Sequence, residues 1–290
     1  MPNAKDFSPV AHGLVTNIIG PSGGGKSHFA RSAVRWANAQ GRKAFAFLSP
    51  IAELASYAGL DMEYEPLVDV DFNSVAHVQQ GTAMQSKTLS VHDKALVALG
   101  QRDDISVLIY DTMNAGLSTA VRNGILASQG IARPQEGKNV WSPYQIYPLW
   151  MEEQLNKIDL LRYRKKMHVI YLWHQAMKEL SGFGKMRKEM GPDGKLGTRW
   201  DEAMQAEVFG QAFAPVIARF ADAYFFVEPV VGSKPFRCRL VAVPDDLRLT
   251  KGRPENIMGR LQAVPEIPND FPTLLKVIEE CYTVTPKKES

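Results

Sequence analysis

Hydrophobic positions fall in short runs separated by stretches of helical period. Leu14 to Ile19 is apolar and β-branched for the most part, is closed by Gly20 and Pro21, and predicts a buried strand. Ser27 to Gln40 predicts a helix, with Phe29, Ala33, Val34, Trp36 and Ala37 on its apolar side and Gly41 as its stop. Lys43 to Leu48 predicts a second strand, Leu54 to Ala58 a short helix, Pro66 to Val70 a third strand and Thr88 to Gly100 a further helix. Ile105 to Tyr110 is apolar except for Ser106 and delivers Asp111 at its end. Tyr144 to Lys166 predicts a long helix whose inner face is Leu149, Leu155, Ile158, Leu160 and Leu161. Met167 to Trp173 predicts the next buried strand, ending at His174 and Gln175. Ala214 to Ala223 reads as helix, Tyr224 to Val231 and Phe236 to Val243 as paired strands, and Phe271 to Cys281 as a last amphipathic helix.

Strands alternating with helices imply βαβ units, and so an α/β fold with a mostly parallel twisted sheet. The late strand pair, with no helix between its members, implies an antiparallel extension at one edge. No linker divides the chain. The expected organisation is an extension over 1–11, one domain over 12–282 and a loose tail over 283–290. A chain of 290 residues with 45% hydrophobic and 22% charged residues buries a core without disulfides or structural metal. Two cysteines, Cys238 and Cys281, are too few for a disulfide framework and favour a reducing compartment. The chain shows neither an apolar run of membrane-spanning length nor a secretory leader pattern, so the expected location is cytoplasmic.

The net charge of +3 says little, but its distribution is uneven. From Lys157 to Arg199 there are 11 basic and 4 acidic residues, while acidic residues outnumber basic ones elsewhere. A positive stretch on an acidic body suggests a local polyanion site, against the plainer reading of a solvated helix face. Residues 180–199 are also rich in glycine, which reads as a mobile loop or hairpin.

The sharpest pattern is Gly20-Pro21-Ser22-Gly23-Gly24-Gly25-Lys26-Ser27, which fits G-x-x-x-x-G-K-[ST] at every fixed position, with a strand before it and a helix after. Glycines let backbone N–H groups turn inward around phosphate oxygens, and a helix N-terminus adds partial positive charge. These residues and His28 are therefore the candidate nucleotide-binding set, with ATP as the expected ligand. Lys26 is placed to reach the β- and γ-phosphates, and the Ser27 hydroxyl is a hard ligand for Mg²⁺. Asp111, delivered by an apolar strand, is the expected second holder of Mg²⁺. Glu53 lies just beyond the second strand, whose end opens on the same crevice in a parallel sheet. It is the candidate for activating water, with Asp61, Glu63 and Glu65 as rivals. His174 and Gln175, at another strand end, are candidates for touching the γ-phosphate.

The order of these elements resembles the RecA-like ATPase core, and most nearly phage-encoded proteins of the Sak type, which act in recombination and single-strand annealing. Gly20–Ser27, Tyr110-Asp111-Thr112, Trp173-His174-Gln175 and Asp246–Arg253 carry the resemblance, over roughly residues 12–282. It implies that Glu53 activates water and that Gln175, with His174, senses the γ-phosphate. It implies that Ala176 to Phe209 is a mobile DNA-contacting segment, with Lys178, Lys185, Arg187, Lys188, Lys195 and Arg199 on phosphates. Phe183 and Trp200 would stack on bases or lie buried. It further implies that Lys251 and Arg253 cross to the γ-phosphate of a neighbouring subunit. The implied partners are single-stranded DNA, further copies of the chain in a ring or filament, and a single-strand-binding protein.

Two other classes compete. A P-loop small-molecule or nucleotide kinase would use residues 180–199 as an acceptor lid, although glycines and lysines suit a loose polyanion contact better. A ring-forming motor ATPase would carry a glutamate straight after Asp111, where this chain has Thr112.

Overall fold

The apolar runs form strands that are covered on both faces. The structure, a computed structural model, describes residues 9–67, 87–128, 141–179, 186–190, 196–200, 202–207, 217, 219–233, 238–241, 251–252 and 266–283. After a single helical turn, α1 (Pro9–His12), come β1 (Val15–Gly20), α2 (Lys26–Ala39), β2 (Lys43–Leu48), a 3-10 helix over Ile51–Tyr57 and β3 (Met62–Pro66). Then follow α3 (Lys87–Gly100), β4 (Ile105–Asp111), a π-turn over Asn114–Ser118, α4 (Thr119–Ser128) and α5 (Trp141–Lys165). The second half carries β5 (His168–Glu179), β6 (Met186–Met190), β7 (Leu196–Trp200), β8 (Glu202–Ala206), β9 (Ala223–Pro229), β10 (Cys238–Val241), β11 (Lys251–Gly252), β12 (Glu266–Pro268) and α6 (Phe271–Thr283).

The main sheet runs β12-β10-β9-β1-β5-β4-β2-β3. From β9 to β3 every pairing is parallel, and β10, β11 and β12 join antiparallel at the β9 side. Strand period divides the side chains between two cores. Ile18, Val107, Ile109, Ile170, Leu172 and Phe225 face α2 and α6. Val15, Ile19, Leu108, Tyr110, Val169, Tyr171, Trp173 and Phe226 face the layer of α3, α4 and α5. The first core is closed by aromatic edges, with Phe271 of α6 set against Phe29 and Trp36 of α2 at centroid distances of 5.9 and 5.4 Å. Gly41 ends α2 as expected. At φ +68° its N–H bonds Asn38 O, while Arg42 N–H bonds Ala37 O.

Several expectations need correction. The inner face of α5 is Tyr147, Met151, Leu155, Ile158 and Leu161, whereas Leu149 and Leu160 are 65% and 51% exposed. The expected set mixed two faces, and the helical period puts Leu149 and Leu160 opposite the buried stripe. The third strand is Met62–Pro66 rather than Pro66–Val70, and 68–70 lie outside the described residues. Its two glutamates are tolerated because β3 ends the sheet path, and Glu63 is paired there with Lys43 and Arg102. β5 does not end at Trp173 but runs on to Glu179. Beyond His174 it leaves β1 and pairs antiparallel with β8, which satisfies its backbone groups. The basic segment thus contains paired strands, with β6 and β7 forming a separate two-stranded ribbon. Of the helix expected over 214–223, only Ile217 and Arg219 are described as helical, and Ala223 already belongs to β9.

Candidate functional site

β1, β2, β4 and β5 lie side by side and parallel, so their carboxyl ends share one edge of the sheet. Residues 20–27 span from the last residue of β1 into the first turn of α2. Gly25 caps that helix at φ +98°, a conformation in which a side chain is strained. A Cβ there would also stand 2.6 Å from Cys238 Sγ and 3.0 Å from Asn269 Nδ2, so the position is glycine for two reasons. The Asn269 amide donates to Gly25 O at 2.8 Å and ties the loop to the chain's far end. At Gly20 a Cβ would meet Val227 Cγ1 at 2.6 Å, because β9 runs against the loop. Ser22, Gly23 and His28 are exposed, whereas Gly24 and Lys26 are buried.

The Lys26 ammonium donates to Gly20 O at 3.0 Å and Pro21 O at 2.7 Å, and lies 3.5 Å from His174 Nδ1. Burial lowers its pKa, while Asp111 and Glu53 act in the opposite sense. His174 stands beside Gly20 in the register of β5 on β1. Burial, and then the Lys26 charge, hold its pKa below the ordinary value. With its proton on Nε2, the ring presents Nδ1 as an acceptor to the Lys26 ammonium. Gln175 is half-buried and pairs through its backbone with Ala206 of β8, so it is the first residue of the outgoing arm.

Asp111 ends β4 inside the protein. Its Oδ2 accepts a 2.8 Å hydrogen bond from the Tyr57 hydroxyl, and its buried Oδ1 has no partner. Burial pushes its pKa up to about 6, with the Glu53 charge adding to that rise and Tyr57, Ser27 and Lys26 opposing it. The Ser27 hydroxyl donates to Glu53 Oε2 at 3.4 Å. Glu53 is thus beside the loop, at the first turn of the 3-10 helix. Its rivals are engaged elsewhere. Arg102 and Lys43 hold Glu63 and bring its pKa down to about 2. Asp61 bonds Asn38 through its backbone, and Glu65 lies on the edge strand β3. Among the described residues no three His, Cys, Asp or Glu side chains form a metal cluster. The donor set of one hydroxyl and one carboxylate with a free buried oxygen suits a hard divalent cation completed by water and phosphate oxygens.

The pattern of the sequence missed three members of this neighbourhood. Tyr57 is four residues beyond Glu53 on the same helix, and nothing in its type marks it as a carboxylate partner. Asn114 reads as an ordinary turn residue. Its Oδ1 accepts from His174 N–H at 2.7 Å, its amide donates to Glu207 O, and Glu207 N–H bonds His174 O at 2.7 Å. Asn269 lies 244 residues from Gly25 in the chain, beyond the reach of any local signal.

Lys178 lies on β5 opposite Ala203, and the ribbon register sets Arg187 opposite Arg199 and Lys188 opposite Thr198. Trp200 is opposite Met186. Lys185, Lys195 and Phe183 lie outside the described residues. Lys251 pairs with Tyr224, toward the amino end of β9 and away from Val227, which abuts the chain's own loop. Arg253 lies outside the described residues, and no described helix is long and apolar enough to cross a membrane.

No protein-family model matches the chain, and no curated protein matches it. Among solved structures, the flagellar accessory protein FlaH from Methanocaldococcus jannaschii is similar with a TM-score of 0.35 and 12% identity, over 80% of this chain and 78% of that one. At so low a score the chemistry rests on the site itself: a lysine, a serine, two carboxylates and a neutral histidine around one glycine-rich loop.

Proposed function

We propose that this protein is a RecA-like ATPase that binds ATP with Mg²⁺ at residues 20–28 and uses its basic arm to bind single-stranded DNA in phage-type recombination, annealing or repair. The observation that carries the reading is the meeting of Lys26, Ser27, Glu53, Asp111 and His174 from four adjacent strand ends. In this reading Ser27 and Asp111 hold Mg²⁺, which when bound neutralises charge on the β- and γ-phosphate oxygens. Lys26 supplies a positive charge in a partly desolvated place, where it counts for more than in water. Glu53 orients and deprotonates the attacking water.

His174, neutral and beside Lys26, responds to the γ-phosphate. Both its backbone groups are held by Asn114 and Glu207 at the root of the arm, so a shift at His174 is transmitted to β5 and β8. The register of the β6–β7 ribbon, which pairs Arg187 with Arg199, is in keeping with a polyanion partner. Lys251 and Arg253 act on a neighbouring copy, and the homo-oligomer shares its sites between subunits.

The test is binding of fluorescent oligo-dT by anisotropy with no nucleotide, with ADP and with a non-hydrolysable ATP analogue, across a salt series. Tighter binding with the analogue and a steep decline with salt are expected. Absence of DNA binding in every state removes the DNA assignment. ATP turnover that then requires a small hydroxyl or phosphate acceptor identifies a kinase.

A further inference from the structure

Resting on the nucleotide reading above, we infer that Tyr57 is a positioning residue for the metal carboxylate, holding Asp111 by Oδ2 so that Oδ1 is the oxygen left for Mg²⁺. Tyr57 is 2% exposed, and its hydroxyl donates to Asp111 Oδ2 at 2.8 Å. The other oxygen, Oδ1, is buried with no protein partner. A carboxylate can turn about its last bond and exchange its two oxygens, and a hydrogen bond to one of them removes that freedom. The ring that carries the hydroxyl is packed in the core beneath α2. The donor is therefore held by bulk as well as by its own bond.

The same 3-10 helix carries Glu53 four residues earlier, about one and a third turns away. Glu53 Oε2 accepts from Ser27, and Tyr57 donates to Asp111. The segment Ile51–Tyr57 thus contacts both proposed metal holders, one from each end. A shift of this helix moves the water-activating carboxylate and the metal carboxylate together. Tyr57 touches neither phosphate nor water in this scheme, and acts through Asp111 alone.

The experiment compares the wild-type chain with Tyr57→Phe, which keeps the ring and removes only the hydroxyl. Binding of a fluorescent non-hydrolysable ATP analogue is measured with EDTA and through an Mg²⁺ titration, and Mn²⁺ binding is followed by electron paramagnetic resonance. Binding with EDTA is expected to match wild type, while the Mg²⁺ and Mn²⁺ requirement rises about 10- to 100-fold. In an Asp111→Asn background, Tyr57→Phe is expected to add nothing further. An unchanged metal requirement overturns the inference, as does an equal loss of analogue binding with and without metal, which marks a packing role only. Should Tyr57→Phe not fold, wild-type protein labelled with fluorotyrosine provides the test. Addition of Mg²⁺ with the analogue then shifts a buried tyrosine resonance that is unmoved in Asp111→Asn, and no such shift overturns the inference. A wild-type chain that binds no nucleotide under any condition rejects the reading of the site itself, a result distinct from normal wild-type binding with an indifferent Tyr57→Phe.

Discussion

Lys26, His168 and His92 show how burial sets chemistry one residue at a time. The Lys26 ammonium is surrounded by two loop carbonyls and a histidine nitrogen. Lys26→Ala is expected to abolish nucleotide binding and turnover with the unfolding midpoint near wild type. Turnover at the normal rate in that variant would remove the assignment. His168 is buried, and its Nδ1 accepts from Leu14 N–H at 3.0 Å, a bond that only the neutral ring can make. Burial, helped by Arg162, brings its pKa down to about 4. His92 is also brought down to about 4, by burial first, and its Nε2 meets the Tyr110 hydroxyl at 2.9 Å. A pKa below its unfolded value means stability that is present above about pH 6.5 and is lost as pH falls toward 4. Each histidine accounts for about 3 kcal/mol of that loss. Urea unfolding between pH 7.5 and 4 is expected to show the decline, offset in part by Asp111, whose raised pKa acts in the opposite sense, and His168→Gln is expected to make the decline shallower. An equally steep decline in His168→Gln would place the titration elsewhere.

At the scale of elements, the longest strand does two jobs. The first part of β5 is a core strand between β1 and β4, and its last five residues form the outgoing side of an arm with β8. The change of partner falls at His174, where Asn114 and Glu207 close the root. Asn114→Ala is expected to retain ATP binding while the difference in DNA affinity between the analogue and ADP states shrinks toward none. An unchanged difference would show that the arm receives its signal by another route. Neutralising Lys185, Arg187 and Lys188 together is expected to weaken single-strand binding and to lower the salt slope by up to ~3. An unaltered slope would move the contact surface away from the arm.

For the whole molecule, the sheet brings distant segments to one loop. Gly20 abuts Val227, and Gly25 is bonded by Asn269, so the loop depends on residues more than 200 positions away. Lys251, by contrast, pairs near the opposite end of β9. Arg253→Ala is expected to impair turnover, and mixing it with Lys26→Ala is expected to restore part of it, because each supplies the half the other lacks. If no mixture recovers activity, sites are not shared between subunits.

The sequence alone determined the elements whose signals are local. The strand over 14–19, the loop with its glycines, lysine and serine, and the stop at Gly41 each depend on neighbours in the chain. So did the neighbourhood of the candidate site, since a parallel sheet sends every strand's carboxyl end to one edge and brings Glu53, Asp111 and His174 near the loop. Tertiary structure decided what depends on distance in the chain. It placed Tyr57 on Asp111, because a tyrosine's hydroxyl partner is chosen by packing and not by spacing. It continued β5 past Trp173, because the backbone groups beyond His174 found β8, whose pairing no local pattern announces. It turned Leu149 and Leu160 outward, because a helix with apolar residues on several sides is oriented by the sheet it meets. It also brought Asn269 to Gly25, a contact that exists only once both ends of the chain lie on the same sheet.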